Sequence, residues 1–197
     1  MAVGVPLEGI GFRLRPVVAA DASFVLDLRN NPQNAKFLPP LPGTVEDQRN
    51  WIQRQHQLPG DYYFVVEDRR TGLAVGLTGL YAHAPDSDGG LIEWGRFVVA
   101  NKSLAAPETS LLSHRYAFEV LNVREVFGYS IEQNEKVIGF HRSCGLEDRG
   151  LSSTTYKIGD QVHRSLCFAL TRDQWPDFKA KLTRTARQIV QILGRKP

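Results

Sequence analysis

Three strand signals follow one another between Tyr62 and Val99, with helical spacing on either side of them, and this arrangement narrows the available folds more than any other feature of the chain. Tyr62–Val66 is a short apolar run, Ala74–Tyr81 a glycine-punctuated one and Leu91–Val99 a long one, with turn residues at Asp68–Gly72 and Asp86–Gly90 between them. Runs of this length joined by such turns predict antiparallel neighbours in a single sheet. Gly95, inside the third run, predicts a bulge there.

The flanks supply the remaining elements. Phe12–Val18 alternates polar and apolar residues, and Pro16 within it suits an edge strand, where a missing donor does little harm. Asp21 offers a cap to a helix over Ala22–Leu28, which Asn30-Asn31-Pro32 stops. After the proline-rich stretch Pro39–Gly43, Thr44 and Asp47 have capping-box spacing and open a helix through Trp51 and Ile52 that Pro59-Gly60 breaks. Beyond the three strands, Leu112, Tyr116 and Val120 recur every four residues, followed by a strand over Glu125–Ile131, a helix over Asn134–Ser143 and a strand over Val162–Leu170. The expected fold is α+β, or mixed α/β: one mostly antiparallel sheet of six to seven strands flanked by four helices.

A tail helix completes the plan. Trp175, Phe178, Leu182, Ala186, Ile189 and Leu193 recur at three and four, with Lys179, Lys181, Arg184 and Arg187 on other faces. Its apolar stripe is expected to pack on its own domain, with a homodimer contact or an anionic membrane surface as the other ways of covering it. The expected division is a domain over residues 1–170 and a basic amphipathic helix over 171–197.

Length and composition bound the function. A chain of 197 residues, 42% hydrophobic, suits one compact domain. Its net charge of +3 comes from the tail, leaving the first 170 residues slightly acidic, and no run interleaves cations with aromatics, so nucleic acid is not an expected partner. Cys144 and Cys167 are too few for a disulfide framework and lack metal-ligand spacing. No metal is expected. With neither a leader-like start nor a run of about 18 apolar residues, the expectation is a soluble, cytoplasmic protein.

Three patches carry a family resemblance. Glu93-Trp-Gly-Arg-Phe-Val-Val99 feeds a helix ending Tyr116-Ala-Phe-Glu-Val-Leu121; Asn134-Glu-Lys-Val-Ile-Gly-Phe-His-Arg-Ser-Cys-Gly-Leu146 follows an Asn-x-x-Ala-x-x-x-Tyr-x-x-x-Gly-Phe pattern; and Leu28-Arg29-Asn30 precedes Trp51. Together they resemble the GNAT superfamily of N-acetyltransferases from about Phe12 to Leu170, in the branch of ribosomal-protein and nucleotide-amino-sugar acetyltransferases. The resemblance implies splayed central strands that admit acetyl-CoA as cosubstrate, its pantetheine arm lying along Phe97, Val98 and Val99 and its amide held by Asn134. It also implies a pyrophosphate site at a helix N-terminus formed by Lys102, Ser103, Leu104, Ala105 and Ala106. Here the chain departs from its relatives: Leu104 stands where the family has its first glycine, and Asn101 where it has a basic or amide residue.

The resemblance further implies Glu93 as the base that frees the attacking amine, with His83 as second candidate. His141 stands at the position where relatives place a proton-donating Tyr, and is expected either to protonate the leaving thiolate or to hydrogen-bond the sulfur. Arg29, Asn30, Tyr81 and His83 are expected to meet the acceptor. A nucleotide-linked amino sugar is the first choice of acceptor, a peptide N-terminus or small amine the second, and a CoA-binding module without turnover remains a third reading.

Overall fold

The computed structural model describes residues 4–84 and 90–194. Among these residues eight strands form one sheet in the order β1-β2-β3-β4-β5-β6-β8-β7. They are β1 (Leu7–Glu8), β2 (Phe12–Pro16), β3 (Tyr62–Asp68), β4 (Ala74–Ala84), β5 (Leu91–Val99), β6 (Glu125–Ile131), β7 (Glu147–Ile158) and β8 (Gln161–Thr171). The helices are α1 (Ala22–Asn30), the single turn α2 (Pro32–Ala35), α3 (Val45–Gln55), α4 (Ala106–Arg115), α5 (Glu135–Cys144) and α6 (Trp175–Gly194). All neighbouring strands run antiparallel except β5 and β6. The two strands beyond the six assigned from the sequence are the two-residue β1 and the edge strand β7. The serine- and threonine-rich β7 alternates exposed and half-buried residues and so lacks an apolar run.

Both faces of the sheet are covered, which is why β3 reads as a continuous apolar stretch. Tyr63 and Val65 pack with Val25, Leu28 and Ile52 of α1 and α3, whereas Phe64 and Val66 join Leu111, Leu112 and Phe178 of α4 and α6. Thr44 and Asp47 cap α3 reciprocally, as their spacing predicts. The stripe of α6 is buried against α4 through Trp175, Phe178, Leu182 and Ala186. Among the described residues no helix is long and apolar enough to cross a membrane.

Two features of β5 shape the site. Gly95 pairs Gly79 and Val98 pairs Leu77, so two residues, Arg96 and Phe97, oppose Thr78 alone. The left-handed backbone of this bulge is at Arg96, with φ 48°, one residue past the glycine that signals it. The extra residue reverses the strand's alternation: Ile92 and Trp94 face the α4 side, but Val98 faces the α1 side. The second feature is a short parallel ladder. Leu91, Ile92 and Glu93 pair with Glu125, Val126 and Phe127, after which residues 94–99 and 128–131 run on unpaired with each other.

Candidate active site

The fork between β5 and β6 opens directly beyond Glu93. At its apex a Cβ on Gly128 would lie 2.5 Å from the Trp94 carbonyl oxygen, so only glycine lets the two backbones approach there. A cleft of about 610 Å³ fills the opening, lined by Phe97, Val98 and Val99 from one strand and Tyr129, Ser130 and Ile131 from the other. Inner-edge backbone groups along residues 94–99 have no strand partner across the gap and are available to an extended ligand.

Glu93 lies on one face of β5, half-buried in the cleft wall. Burial raises its carboxyl pKa above the ordinary value, while the Tyr81 hydroxyl and the charge of Arg96 pull the other way. Tyr81 donates to Glu93 Oε1 at 2.8 Å. Arg96 stacks over the Tyr81 ring at 4.5 Å and forms a two-pronged ion pair with Asp61 at 2.5 and 2.9 Å. Tyr63 and Trp51 close the cage around its guanidinium. The carboxylate therefore has polar neighbours to accommodate either charge state.

The opposite face is apolar. Trp94 is anchored through Nε1 to Thr78 Oγ1 at 2.9 Å, and Thr78 in turn meets Ser113. Its indole is edged by His114 and His141, with centroids at 4.8 and 5.3 Å. Both imidazoles line the cleft and are deeply buried, His141 being 7% exposed. Burial pushes each down to about 4. His114 Nδ1 faces the Ser110 carbonyl at 2.8 Å, while His114 Nε2 and His141 Nδ1 have no partner among the described residues. At neutral pH His141 is thus uncharged. Of its two expected roles, direct protonation of a thiolate does not suit this environment; hydrogen bonding through a neutral ring does.

The loop before α4 divides its residues between ligand and core. Lys102, Ser103 and Ala106 line the cleft; Lys102 takes a left-handed backbone (φ 67°), and the Ser103 amide closes a turn to Ala100. Leu104 points away from the cleft, and Ala105 is fully buried, its amide taken by Ser103 Oγ and its carbonyl by Thr109. The turn that starts α4 packs one side chain inward and leaves its neighbour partly exposed. Among the described residues, the Leu104 and Ala106 amides find no acceptor in the chain, so a helix N-terminus with free donors survives loss of the glycine. Asn134 caps α5 through the Val137 amide and also lines the cleft.

On the far wall, Arg29 lines the cleft, whereas Asn30 does not. Asn30 gives both amide groups to the backbone of Leu41, donating to its carbonyl and accepting from its N–H, and so pins the proline-rich loop. Its side chain thus holds that loop beside the cleft, and with Arg29 it lines a second, smaller cavity. Tyr81 reaches the cleft through Glu93. His83 is on β4, and its side chain lies outside the described residues.

Sequence reasoning passed over four lining residues. Arg96 reads as an ordinary strand position, although its place after Gly95 in a run that loses its alternation is a usable signal. Tyr156, pushed up to about 12 by burial and the charge of Glu93, stands in a segment with no apolar period. His114 carries no marker of its burial, and Lys36 none of its position. Among the described residues no group of three His, Cys, Asp or Glu side chains is placed to hold a metal ion.

Known proteins share this architecture. Residues 12–147 match the acetyltransferase (GNAT) domain family. A nucleotide-linked sugar GNAT in its apo form superposes with a TM-score of 0.77 at 21% identity, over 92% of this chain and 98% of that one. A GCN5-related N-acetyltransferase from Brucella melitensis gives 0.77 at 20% identity, over 92% and 85% of the two chains. A variant of the spermidine N-acetyltransferase from Vibrio cholerae gives 0.72 at 16% identity, over 84% and 96%. No protein of curated function matches the chain by sequence.

Proposed function

Because the chain belongs to the GNAT acetyltransferase family and is an acyltransferase by that membership, we propose that it moves an acetyl group from acetyl-CoA to the primary amine of a nucleotide-linked amino sugar, in the cytoplasm. The observation that carries this reading is the β5/β6 fork opening immediately beyond a half-buried carboxyl of raised pKa. The unpaired edge of residues 94–99 suits an extended, amide-bearing arm, and the free amides of Leu104 and Ala106, with Lys102 beside them, suit its phosphates.

In this scheme Glu93 takes the proton from the acceptor's ammonium group, directly or through a water, so that the free amine attacks the thioester carbon. A positioned base of this kind contributes about 10²–10⁴-fold. His141 offers a neutral ring N–H to the departing sulfur. The cleft wall on the acceptor side favours an anionic over a polycationic amine: Glu93 is the carboxylate facing the gap, while Arg29 and Lys36 line it without an ion-pair partner among the described residues. A nucleotide-linked sugar GNAT among the structural neighbours supports the same choice.

The test combines calorimetry with CoA and thiol release from acetyl-CoA against pools of nucleotide-linked amino sugars, peptides and small amines. Release confined to the sugar pool is the expected result. Release with peptides or polyamines alone moves the acceptor to another class, CoA binding without turnover on any pool makes the chain a binding module, and no heat with CoA removes the reading altogether.

A further inference from the structure

Arg29 is a buried cation with the Tyr63 hydroxyl and a backbone carbonyl as neighbours but without a carboxylate partner among the described residues. It is 8% exposed, its Nη2 donates to the Pro39 carbonyl at 3.1 Å, and its Nε has no acceptor. Leaving a guanidinium desolvated with an unused donor is costly unless a ligand completes it. Arg29 also stands at a junction. Together with Lys36 and Leu38, it lines both the transfer cleft and a second cavity of about 420 Å³.

That second cavity has apolar walls. Pro32 comes from the start of α2, Pro40 and Leu41 from the loop that Asn30 pins, and Ile158 from the tip of the β7–β8 hairpin, with Asn30 beside them. Its chemistry, a pair of cations at the mouth and proline and aliphatic surfaces behind them, suits a flat, weakly polar group attached to an oxyanion. A polyamine would bring like charge to Arg29.

Building on the acetyl-transfer reading above, we infer that this second cavity is the subsite for the nucleobase end of the acceptor, with Arg29 and Lys36 bridging its diphosphate and the amine reaching Glu93. The guanidinium's planar fork meets two phosphate oxygens at once, and Lys36 adds a second, flexible charge. The apolar walls then contribute area. Covering about 60 Å² of apolar surface is enough for a tenfold gain in affinity.

The experiment is calorimetry on the full chain with CoA present at saturation, so that the coenzyme's own phosphate site is filled. Inorganic pyrophosphate, succinate and a panel of UDP, dTDP, GDP and CDP are titrated in turn. At least one nucleoside diphosphate is expected to bind tenfold or more tightly than pyrophosphate, and pyrophosphate more tightly than succinate. Arg29→Gln is expected to weaken both phosphate ligands about 30-fold or more, the effect of removing one member of a buried charge pair. Lys36→Ala, an exposed change that spares folding, lowers both by a smaller factor. Ile158→Asp, at the hairpin tip, brings the nucleoside diphosphate down towards pyrophosphate and leaves pyrophosphate unchanged.

Equal binding of pyrophosphate and every nucleoside diphosphate overturns the base subsite. Nucleotide binding indifferent to both Arg29→Gln and Lys36→Ala, or succinate binding above pyrophosphate, overturns the diphosphate bridge. Each of these results is obtained with CoA bound, so it leaves acetyl transfer standing; failure of CoA itself to bind removes the reading beneath.

Discussion

The two faces of β5 treat buried titratable groups in opposite ways. On one, Glu93 has the Tyr81 hydroxyl at 2.8 Å and the Arg96–Asp61 pair behind it. On the other, His114 and His141 flank Trp94, each with one buried ring nitrogen that finds no partner among the described residues. Burial drives all three towards their neutral forms, the carboxyl up and the imidazoles down. The Glu93 face has a hydroxyl and a nearby ion pair that make a change of charge cheap. Under the proposed function, the difference assigns proton traffic to the carboxylate face and makes the imidazole face a neutral wall against which a thioester can rest.

The largest expected effect breaks this contrast at its working end. Glu93→Gln keeps the shape and the hydrogen bond to Tyr81 but removes the base, so kcat at saturating acceptor falls about 10²–10⁴-fold. The wild-type rate should rise with pH through a limb displaced above the ordinary Glu range, since the carboxylate is the active form and burial raises its pKa. Full turnover by the glutamine variant from pH 6 to pH 9 eliminates Glu93 as the base.

The next effect sharpens the imidazole face. A histidine free to titrate near 6.5 when unfolded, but held at about 4 when folded, takes up its proton preferentially in the unfolded state across that window. Its neutral burial is therefore free of penalty above pH 6.5 and progressively destabilising as pH falls towards 4. Each ring contributes a loss of roughly 3 kcal/mol by the bottom of the window. His141→Phe should make the fall in urea-unfolding free energy between pH 7 and pH 4.5 smaller by about 2–3 kcal/mol, while turnover drops about tenfold for a lost hydrogen bond to sulfur. Identical acid sensitivity in the variant and the parent places a charged ring in the folded protein, and unchanged turnover removes His141 from the site.

The same contrast explains what the sequence discloses. Element order from Phe12 to the end of α5 is legible because each stretch carries its own period and punctuation: Thr44 and Asp47 cap α3, and Gly145 ends α5 with φ 100°. The residues of the cleft wall along Phe97–Val99 follow from the order of elements and the resemblance it carries. Electrostatic character is not legible, because it depends on distant segments. His141 is neutralised by Trp94 and Phe168, which lie 47 residues before it and 27 after it in the chain. The clamp made by Asn30 depends on Leu41 folding back onto it, and the burial of Ala105 depends on the turn at Ser103. Strand β7 escapes detection because its edge position calls for no apolar run.

Tyr81→Phe is the smallest of these tests and the most specific to the Glu93 face. The hydroxyl donates to Glu93 and so favours the carboxylate; burial acts against it, and Arg96 assists the hydroxyl from a greater remove. Losing the donor leaves burial less opposed, and the carboxyl pKa rises further. The acidic limb of the rate profile should move to higher pH by up to about one unit, a hydrogen bond to a partly exposed charged group amounting to about 1 kcal/mol. Plateau turnover above the limb should stay within a few-fold of the parent, because Glu93 is ionised there in both proteins. A limb that does not move, measured on kcat/KM with acetyl-CoA saturating, means that the proton acceptor is some group Tyr81 does not touch. In that case the polar partnership around Glu93 serves to fasten β4 to β5 beside the fork.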